Sequence, residues 1–571
     1  MLQSEGLRAL SPGQSPGGSV TPVATSLCCH ACNEFKGDFW VTGPNRLIYP
    51  LDPALPLHIM EEPDGKLRGL TETGQFHIEW LHLNRQQLVV YRHERRLRND
   101  ALETHQELLR QLSSLENRVN QVLLDLKQIK NEFDVSSFLR NAGYHGIMLK
   151  IVPDVACTVC GCVCDDITVT IENDRIIRAD NACRLAEPWF LKQNAAKPQV
   201  AWVDDRPASF ADAIAKAVEI LRSARSPLIY GLSRSTTEGQ RVAVALAEKL
   251  GATIDTTAST GHATSIMALQ QVGESTCTLG EAKNRADLVI FWGCDPVRTH
   301  PRHLERYAGE AVGRWVPNGR ADRYIVVADV QETDSARVAD QYLPIETGRD
   351  WGALWPLRLL VKGIDPRPGS VTGAPLDKLR ELAKRMKTCR FGVIFFGAGL
   401  ARGTSAHRAI EALLQLVTDL NQHTRFYARR MRRFGDVAGA DSVLAWQTGY
   451  PFGVNFATGY PRYNPGEFTG PEMLMRGEVD ACVVLDSETV ADFPKAAHDA
   501  LNAIPVIALD PPGAEYLVPA AVRFTTAVYG VHRPGTAYRL DEVPIPLRVL
   551  LPTDYPSDGE VLETILAKYN E

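Results

Sequence analysis

The sequence lacks the features that would place the protein in a membrane or on nucleic acid. Among its 571 residues, no apolar run approaches the roughly 18 residues that a helix needs to cross a bilayer. The formal net charge is −6, whereas general nucleic-acid binders usually carry an excess of basic residues. No secretory signal pattern is recognised, so we expect a cytoplasmic protein with few disulfides. Small molecules and other proteins are the expected partners.

The composition is that of an ordinary globular protein, with 44% hydrophobic and 23% charged residues. A chain of this length should form about two to four domains, each with its own core. Changes in composition predict five parts: an N-terminal region of unknown role, a coiled-coil helix, a cysteine-rich small lobe, and first and second α/β domains. Their limits are residues 1–99, 100–135, 148–204, 205–390 and 391–571.

The N-terminal region begins with residues 1–27, which are rich in Ser, Gly and Pro and are predicted to be disordered. Cys28, Cys29 and Cys32 follow. A single pair of cysteines two residues apart is weak evidence for a metal site, and buried or idle thiols are the simpler interpretation.

A heptad pattern follows, because apolar residues recur at alternating steps of four and three. These residues are Leu108, Leu112, Leu115, Val119, Val122, Leu126, Ile129 and Phe133. The pattern predicts a coiled coil within 108–133 that self-associates or docks on a partner. An amphipathic helix packed on its own domain is the alternative. A protein could also begin at Met148, although regular heptads favour a genuine module before it.

Five of the twelve cysteines lie close together in the sequence. Cys157, Cys160, Cys164 and Cys183 have the spacing C-x2-C-x3-C-x18-C, which suits a loop wrapped around an inorganic cluster. A [4Fe-4S] cluster is the first hypothesis. Four thiolates also satisfy a structural zinc site, and disulfides are a third possibility. Cys162 would then be an additional structural thiol.

Secondary-structure patterns place these cysteines on a small β-lobe. Residues 168–171 and 176–177 flank a polar turn and predict a β-hairpin. From residue 205 onward, helical patterns alternate with short apolar strands, among them 227–230, 287–292, 324–328, 391–396, 481–486 and 506–510. This alternation predicts a doubly wound α/β architecture with parallel sheets. In such sheets, ligands bind where loops leave the carboxyl ends of the strands.

Several polar residues follow these predicted strands. Asp329 comes at the end of one strand and could accept from a ribose or a guanine, or cap the next turn. Arg429 and Arg430 belong to a group of five arginines between residues 425 and 433, which could clamp an anionic ligand such as a polyglutamate or phosphate tail. A solvated face or a subunit contact is the alternative for the arginines.

Two ordered sets of residues resemble a known family. Cys-x-x-Cys-x-x-x-Cys-Asp-Asp, with its hairpin and Cys183, resembles the start of the B subunit of the formylmethanofuran dehydrogenases, a branch of the molybdopterin oxidoreductases. A second resemblance joins Gly-Glu-Ala-Lys-Asn-Arg-Ala-Asp at 280–287, Phe-Trp-Gly-Cys-Asp-Pro at 291–296 and His-Pro-Arg-His at 300–303. The resemblance runs from about residue 148 to the end. It implies a molybdopterin-oxidoreductase-like fold with a pterin site built around Gly293, Asp295, His300, Arg302 and His303.

One residue of that family is missing. The family's molybdenum or tungsten ligand is a cysteine or selenocysteine directly before a His-Gly-Pro-like segment, and here Gly261 precedes His262. Glycine cannot donate a ligand to a soft metal. The resemblance therefore implies that molybdopterin guanine dinucleotide with molybdenum or tungsten is not held as in an active dehydrogenase. Cys277 is too far along the chain to be an obvious substitute.

In lacking this cysteine, the chain resembles the B subunit of the formyltransferase/hydrolase complex of tetrahydromethanopterin-linked one-carbon metabolism. The resemblance implies a non-redox subunit that works with partner subunits, which carry out formyl transfer and hydrolysis in the conversion of formaldehyde to formate. The protein would be structural or would handle a furan-type carrier with an anionic tail. The alternative is an active molybdenum or tungsten formylmethanofuran dehydrogenase subunit with a [4Fe-4S] cluster.

No catalytic residue is assigned from the sequence. His262, His300 and His303 are candidates, because histidine titrates near neutral pH and can transfer protons. A hydrogen-bonded structural role is the alternative for each of them.

Overall fold

The structure is a computed structural model that describes residues 149–571, apart from 195–198, 368, 370, 402, 404 and 515–517. Before these it describes residues 55–81, scattered residues between 83 and 96, and the backbone of residues 7–8 and 28–29. Cα packing divides the chain into two units, residues 1–146 and 147–571. The predicted coiled coil and Cys32 lie outside the described residues. Within the described part, no helix is long and apolar enough to span a membrane.

Among the described residues, the N-terminal unit has two antiparallel strand pairs and two short helices. Strands β1 (Leu7–Arg8) and β2 (Cys28–Cys29) pair in antiparallel fashion. Helix α1 (Leu55–His58) leads into β3 (Ile59–Glu61) and β4 (Leu67–Gly69), and helix α2 (Glu72–Trp80) follows. Thr71 starts α2, because its hydroxyl accepts a hydrogen bond from the Gly74 amide at 3.1 Å.

The second unit begins with an antiparallel sheet of three strands, β5 (Leu149–Val155), β6 (Ile167–Glu172) and β7 (Arg175–Asp180), in that order. Buried and half-buried residues alternate along β6, as expected for a strand with one face on the core. Asn173 and Asp174 adopt left-handed backbone conformations and make the tight turn between β6 and β7. Residues 157–164, which carry four cysteines, form the loop between β5 and β6.

Larger sheets and their helices make up the rest of this unit. The strands are β8 (Ala201–Val203), β9 (Arg206–Ala208), β10 (Pro227–Gly231), β11 (Thr253–Thr256), β12 (Leu288–Trp292), β13 (Tyr324–Asp329), β14 (Gln341–Pro344), β15 (Phe391–Phe396), β16 (Arg425–Arg430), β17 (Val454–Asn455), β18 (Arg462–Tyr463), β19 (Ala481–Leu485), β20 (Val506–Asp510), β21 (Val522–Thr525), β22 (Gly535–Tyr538) and β23 (Pro544–Leu547). The helices are α3 (Ala186–Leu191), α4 (Phe210–Ser223), α5 (Thr237–Leu250), α6 (Ala258–Gly261), α7 (Ala263–Val272), α8 (Leu279–Arg285), α9 (Pro296–Thr299), α10 (Asp334–Arg337), α11 (Asp350–Val361), α12 (Leu376–Thr388), α13 (Ala398–Ala401), α14 (Ala406–Leu420), α15 (Val437–Thr448), α16 (Gly470–Met475), α17 (Lys495–Leu501) and α18 (Asp558–Asn570). A π-helix covers Leu304–Ala308, and 3-10 helices cover Gly319–Asp322 and Ser487–Val490.

Two sheets dominate this unit. Nine strands form the order β18-β17-β11-β10-β19-β20-β21-β8-β9, in which β11, β10, β19, β20 and β21 are parallel. Five parallel strands form the order β14-β13-β12-β15-β16. Strands β10, β12, β15 and β19 are buried along their whole length, because helices cover both faces. The structure thus has the mixed α/β architecture with parallel sheets that the sequence predicts.

The two sheets are interleaved along the chain. The nine-stranded sheet takes strands from residues 201–256 and 454–525, and the five-stranded sheet lies between them at residues 288–430. The predicted boundary between residues 390 and 391 falls inside the five-stranded sheet, where Leu288 of β12 lies opposite Gly392 of β15. The strand pairing therefore does not divide residues 205–571 into two consecutive α/β domains. The sequence pattern locates buried strands, but it does not say which of them are neighbours.

Candidate functional site

Five cysteine side chains line one cavity. Cys157, Cys160, Cys162 and Cys164 come from the loop between β5 and β6, and Cys183 comes from the turn before α3. The cavity measures about 310 Å³, counted with its opening to solvent. The loop closes on itself, since the Cys157 amide donates to the Cys164 carbonyl at 2.8 Å. The structure thus brings together all four thiols that the sequence predicts as ligands.

Burial governs the acidity of these thiols. It raises the pKa of Cys157 well above its ordinary value, and it raises the pKa of Cys164 to about 11 with a further contribution from Cys160, against an opposing effect of Arg306. A hydrogen bond from Cys162 lowers the pKa of Cys160. Buried thiols of this kind become thiolates together only when a bound cation compensates their charge.

The arrangement of the donors suits a cluster. Within the described residues, no three His, Cys, Asp or Glu side chains form a group that could hold a single metal ion. The thiols instead surround the cavity. Four of them lie on the loop between β5 and β6, and the fifth belongs to Cys183. Four sulfur donors spread around a cavity are the donor set that an iron–sulfur cluster requires.

Two arginines clamp the end of the cysteine loop. Arg302 donates to both carboxylate oxygens of Asp166, at 2.7 and 2.8 Å, and also pairs with Glu305. Arg306 donates to Asp165 at 2.7 Å. Although burial alone would raise the pKa of Asp166, hydrogen bonds from Arg302 hold it below its ordinary value. The two aspartates that directly follow Cys164 are thereby tied to the segment after α9.

Two of the candidate histidines bind successive backbone carbonyls after β16. The Nε2 atom of His300 donates to the Arg432 carbonyl at 2.7 Å, and that of His262 donates to the Met431 carbonyl at 3.3 Å. Burial lowers the pKa of His262 to about 3 and that of His300 to about 4. Both rings are therefore neutral at neutral pH and support a backbone segment.

The third candidate, His303, is fully buried in an aromatic environment. Its ring lies 4.6 Å from that of Phe395, 5.7 Å from that of Phe291 and 6.0 Å from that of Tyr307, centroid to centroid. Neither ring nitrogen has a hydrogen-bond partner among the described residues. Burial lowers the pKa of His303 to about 3, so this ring is also neutral.

The loops after β12 and β13 hold the remaining pterin-site candidates. Gly293 has a φ of +58°, and a Cβ there would lie 2.6 Å from the Leu400 amide nitrogen, so only glycine fits. Asp295 accepts hydrogen bonds from the amide and the hydroxyl of Ser335. Asp329 accepts from the amide of Val330 at 2.7 Å, and burial raises its pKa. Asp295 and Asp329 therefore make local hydrogen bonds at this edge of the sheet.

The two candidate arginines at the end of β16 are buried and paired with protein acceptors. Arg429 donates to the Cys277 carbonyl at 3.0 and 2.8 Å and pairs with Glu542 at 3.3 Å. Arg430 pairs with Glu274 at 3.2 Å. An anionic tail that bound these guanidinium groups would have to displace these acceptors.

Sequence reasoning missed a larger cavity at the carboxyl ends of the nine-stranded sheet. It measures about 540 Å³, including its open side, and lies where strand order reverses between β10 and β19. Its lining includes Thr158, Trp189, Arg234, Asp486, Thr526, Tyr529 and Asp558. Arg234 lies 2.8 Å from Glu488 and 3.5 Å from Asp486. The sequence feature that could have pointed to this cavity is the position of Arg234, three residues after the buried strand β10.

Gly261 ends helix α6, which follows β11. A Cβ built on Gly261 meets no atom within 4 Å. The position has room for a side chain, but the residue present supplies no donor atom.

Comparison with known proteins identifies several relatives. No protein-family model matches the chain. It is 39% identical over 433 residues to the B subunit of the tungsten-containing formylmethanofuran dehydrogenase 2 of Methanocaldococcus jannaschii, covering 74% of this chain and 100% of the relative. It is 36% identical over 432 residues to the B subunit of the corresponding enzyme of Methanococcus maripaludis, with the same two coverages. It is 28% identical over 287 residues to the B subunit of the formyltransferase/hydrolase complex Fhc of Methylorubrum extorquens, covering 50% of this chain and 74% of the relative.

Two solved structures share the fold. The formyltransferase/hydrolase complex FhcABCD from Methylorubrum extorquens, in complex with methylofuran, matches with a TM-score of 0.54 and 24% identity, over 65% of this chain and 98% of the matched chain. Acetylene hydratase from Pelobacter acetylenicus matches with a TM-score of 0.52 and 11% identity, over 73% and 69% of the two chains. These matches establish the fold and leave the chemistry to be argued from the residues.

Proposed function

The chain belongs to the family of formylmethanofuran dehydrogenase B subunits, and from this premise we propose that it is the B subunit of a furan-linked one-carbon complex. The relatives are themselves subunits of enzyme complexes, and one structural match is the FhcABCD complex with methylofuran. By analogy, this chain assembles with other subunits and serves a furan-type carrier in the conversion of formaldehyde to formate.

Within that complex, this chain would not carry the molybdenum or tungsten centre at which a dehydrogenase oxidises its substrate. Gly261 carries the proposal, because it supplies no donor atom at the position expected for the metal ligand. Cys277 does not obviously replace that ligand, since it is buried and lies sixteen residues further along the chain, just before the start of α8. Formyl transfer and hydrolysis would then take place on partner subunits, with this chain giving structure or handling a cofactor.

The cysteine cavity would hold a [4Fe-4S] cluster. Its thiolate ligands would be Cys157, Cys160, Cys164 and Cys183, with Cys162 as a hydrogen-bond donor to Cys160. Such a cluster supplies one-electron transfer when it is bound. Zinc is the competing occupant, but it would require the thiols to move closer together, because no three of the described side chains form a single-ion site.

An active molybdenum or tungsten dehydrogenase is the second candidate, and two cavities favour it. The cysteine cavity retains its four thiols, which a purely structural protein does not need. In the larger cavity, the Nε atom of Arg234 is buried and has no hydrogen-bond partner among the described residues. A phosphate of a pterin nucleotide could bind this guanidinium group if it displaced the carboxylates of Asp486 and Glu488, which lie 3.5 and 2.8 Å away. The second candidate therefore keeps a site for the cofactor even without a ligand at Gly261.

Elemental analysis of the full chain, purified anaerobically with its partner subunits, tests both candidates. We expect about four iron atoms and matching acid-labile sulfide per chain, without stoichiometric tungsten, molybdenum or pterin. Stoichiometric tungsten or molybdenum with pterin, together with furan-dependent dye reduction, would instead establish the dehydrogenase.

A pair of cysteine variants tests the cluster ligands. Cys157→Ser removes a thiol from the cavity and should abolish iron binding. Cys482→Ser is the matched control, because Cys482 is equally buried but lies in β19, away from the cavity. Zinc in place of iron in the wild-type protein, or equal iron in the two variants, would contradict the cluster.

A further inference from the structure

We propose that the amino edge of the five-stranded sheet is a docking surface for an acidic segment of a partner subunit. The docking residues are three arginines grouped around one tryptophan, and we call them the arginine surface: Arg285, Arg390, Arg425 and Trp315. This inference rests on the proposed function, because the partner is a subunit of the complex proposed above. It adds which face of this chain the partner contacts and by what chemistry.

Strand order brings the three arginines to one edge of the sheet. Arg285 lies three residues before β12, Arg390 lies directly before β15, and Arg425 is the first residue of β16. These three strands are parallel neighbours, so their amino ends meet. Gly293 and Asp295 follow the carboxyl end of β12 and therefore lie at the opposite edge. The arginine surface is thus separate from the family's pterin-site candidates.

The side chain of Trp315 lies at the centre of the arginine surface. The guanidinium carbons of Arg285, Arg390 and Arg425 lie 5.4, 5.2 and 5.8 Å from the centroid of its ring. These distances allow cation–π attraction, and a guanidinium group placed against a ring keeps the N–H groups at its own edge for other acceptors. The ring therefore gathers the arginines without using up their donors.

Backbone contacts hold Trp315 in this position. Its amide donates to the Asn284 carbonyl at 2.8 Å, at the end of α8. A Cβ on Gly313 would lie 2.3 Å from the Lys283 carbonyl oxygen, so this loop packs directly on the backbone of the same helix. The indole ring also meets the Phe391 ring edge-on, with the centroids 6.4 Å apart. The tryptophan is thus a fixed part of the sheet edge.

The local charges leave two exposed arginines for an anionic partner. Arg285 lies 3.5 Å from Glu281. The side chains of Arg390 and Arg425 make no ion pair and no hydrogen bond with any other described residue. The nearby carboxylate of Asp287 accepts instead from the backbone amide of Arg390, at 3.1 and 2.9 Å. A carboxylate from another chain would supply the missing partner, since arginine binds carboxylates through two parallel N–H bonds.

The composition of this surface favours an acidic protein segment. Arginine and tryptophan are enriched among the residues that carry most of the binding energy in protein interfaces. Val312, three residues before Trp315, is 63% exposed and adds an apolar contact in the same loop. A nucleic-acid interface would need a longer row of basic residues to neutralise successive phosphates, and the whole chain carries a net charge of −6.

The test is the affinity of the full chain for the separately purified partner subunits, measured by biolayer interferometry at low and high ionic strength. Arg390→Glu/Arg425→Glu reverses two exposed charges and should weaken binding at low salt by at least about tenfold, because like charges then face each other. Binding by the wild type should weaken as salt rises, whereas binding by the variant should not. Arg225→Glu/Arg241→Glu is the matched control, because both arginines are exposed and their side chains make no ion pair among the described residues.

Cross-linking identifies the segment that binds. Arg425→Lys places an amine in the arginine surface, and a carbodiimide should join that amine to a carboxylate of the partner subunit. Mass spectrometry of the product should then locate an acidic segment of the partner. Arg225→Lys is the matched control and should give no link to that segment. A link from the control to the same segment, or none from Arg425→Lys in the assembled complex, would count against the arginine surface.

The outcomes separate this inference from the proposed function. A wild-type chain that binds none of the subunits would remove the proposed complex, and this inference with it. Tight binding by the wild type with unchanged affinity in Arg390→Glu/Arg425→Glu would overturn the inference alone, and so would an equal loss in the control. An oligonucleotide that binds the wild type but not this variant, with subunit affinity unchanged, would assign the surface to nucleic acid and overturn the inference as well.

Discussion

The most direct test of the cysteine loop's position is Gly435→Ala. A Cβ on Gly435 would lie 1.9 Å from the Thr158 carbonyl oxygen, within the cysteine loop. Gly161 makes the reciprocal contact from the loop, since its Cβ would lie 2.4 Å from the Arg432 carbonyl oxygen. These two glycines let the loop and the segment after β16 touch backbone to backbone.

The expected cost follows from that contact. The backbone of Gly435 is outside the left-handed region, so alanine is allowed there and the whole effect is steric. Adding a methyl group to a packed site typically costs 1–3 kcal/mol, and a carbonyl oxygen cannot rotate away, so we expect about 3 kcal/mol. Because real Cβ atoms essentially never approach within 3.0 Å of another heavy atom, the two segments would have to separate by about 1 Å. The cysteine loop would then lose its position, and iron binding with it.

Iron and acid-labile sulfide per chain, together with the melting temperature, measure the effect. Gly261→Ala is the matched control, because its added Cβ meets nothing within 4 Å. The control should keep full iron, with a melting temperature equal to or slightly above that of the wild type. Equal iron content and equal melting temperatures in the two variants would refute the reasoning.

Two further predictions concern buried charge. His300→Gln should flatten the dependence of melting temperature on pH between about 4 and 6.5. Burial lowers the folded-state pKa of His300 to about 4, so its contribution of about 3 kcal/mol to stability is present above pH 6.5 and is lost on acidification. The control variant His423→Gln, at an exposed position, should keep the wild-type slope. Arg432→Gln should lower the free energy of unfolding by about 3–5 kcal/mol, because it leaves the Asp441 carboxylate buried and without its ion-pair partner. The control Arg476→Gln breaks the exposed ion pair with Glu478 and should cost less than about 1 kcal/mol in the same thermal assay.

Local sequence patterns predicted individual strands better than they predicted which strands pair with each other. Leu288–Trp292 is a continuous apolar run, so its burial in a parallel sheet could be predicted from composition alone. The cysteine spacing likewise predicted which thiols share a cavity, because all but Cys183 lie on one short loop. That β15 returns to pair with β12 could not be predicted, because strand pairing depends on contacts across the whole chain.

The candidate site shows the same limit for single residues. Arg429 and Arg430 form part of a charged run that looks exposed in the sequence, but the structure buries both. Their carbonyl and carboxylate acceptors lie far away in the chain, at Cys277, Glu274 and Glu542. His262 and His300 likewise bind carbonyls after β16, a partner that no local pattern reveals.

The interleaved sheets also determine the order in which the protein can fold during its synthesis. Strand β10 meets β11 soon after it leaves the ribosome, but its other neighbour, β19, begins only at Ala481. The five-stranded sheet needs nothing beyond residue 430 for its strand pairing and can form during that interval. Meanwhile the apolar edge of β10 has no partner strand, and such edges promote aggregation. The nascent chain should therefore depend on chaperones until β19 has been translated.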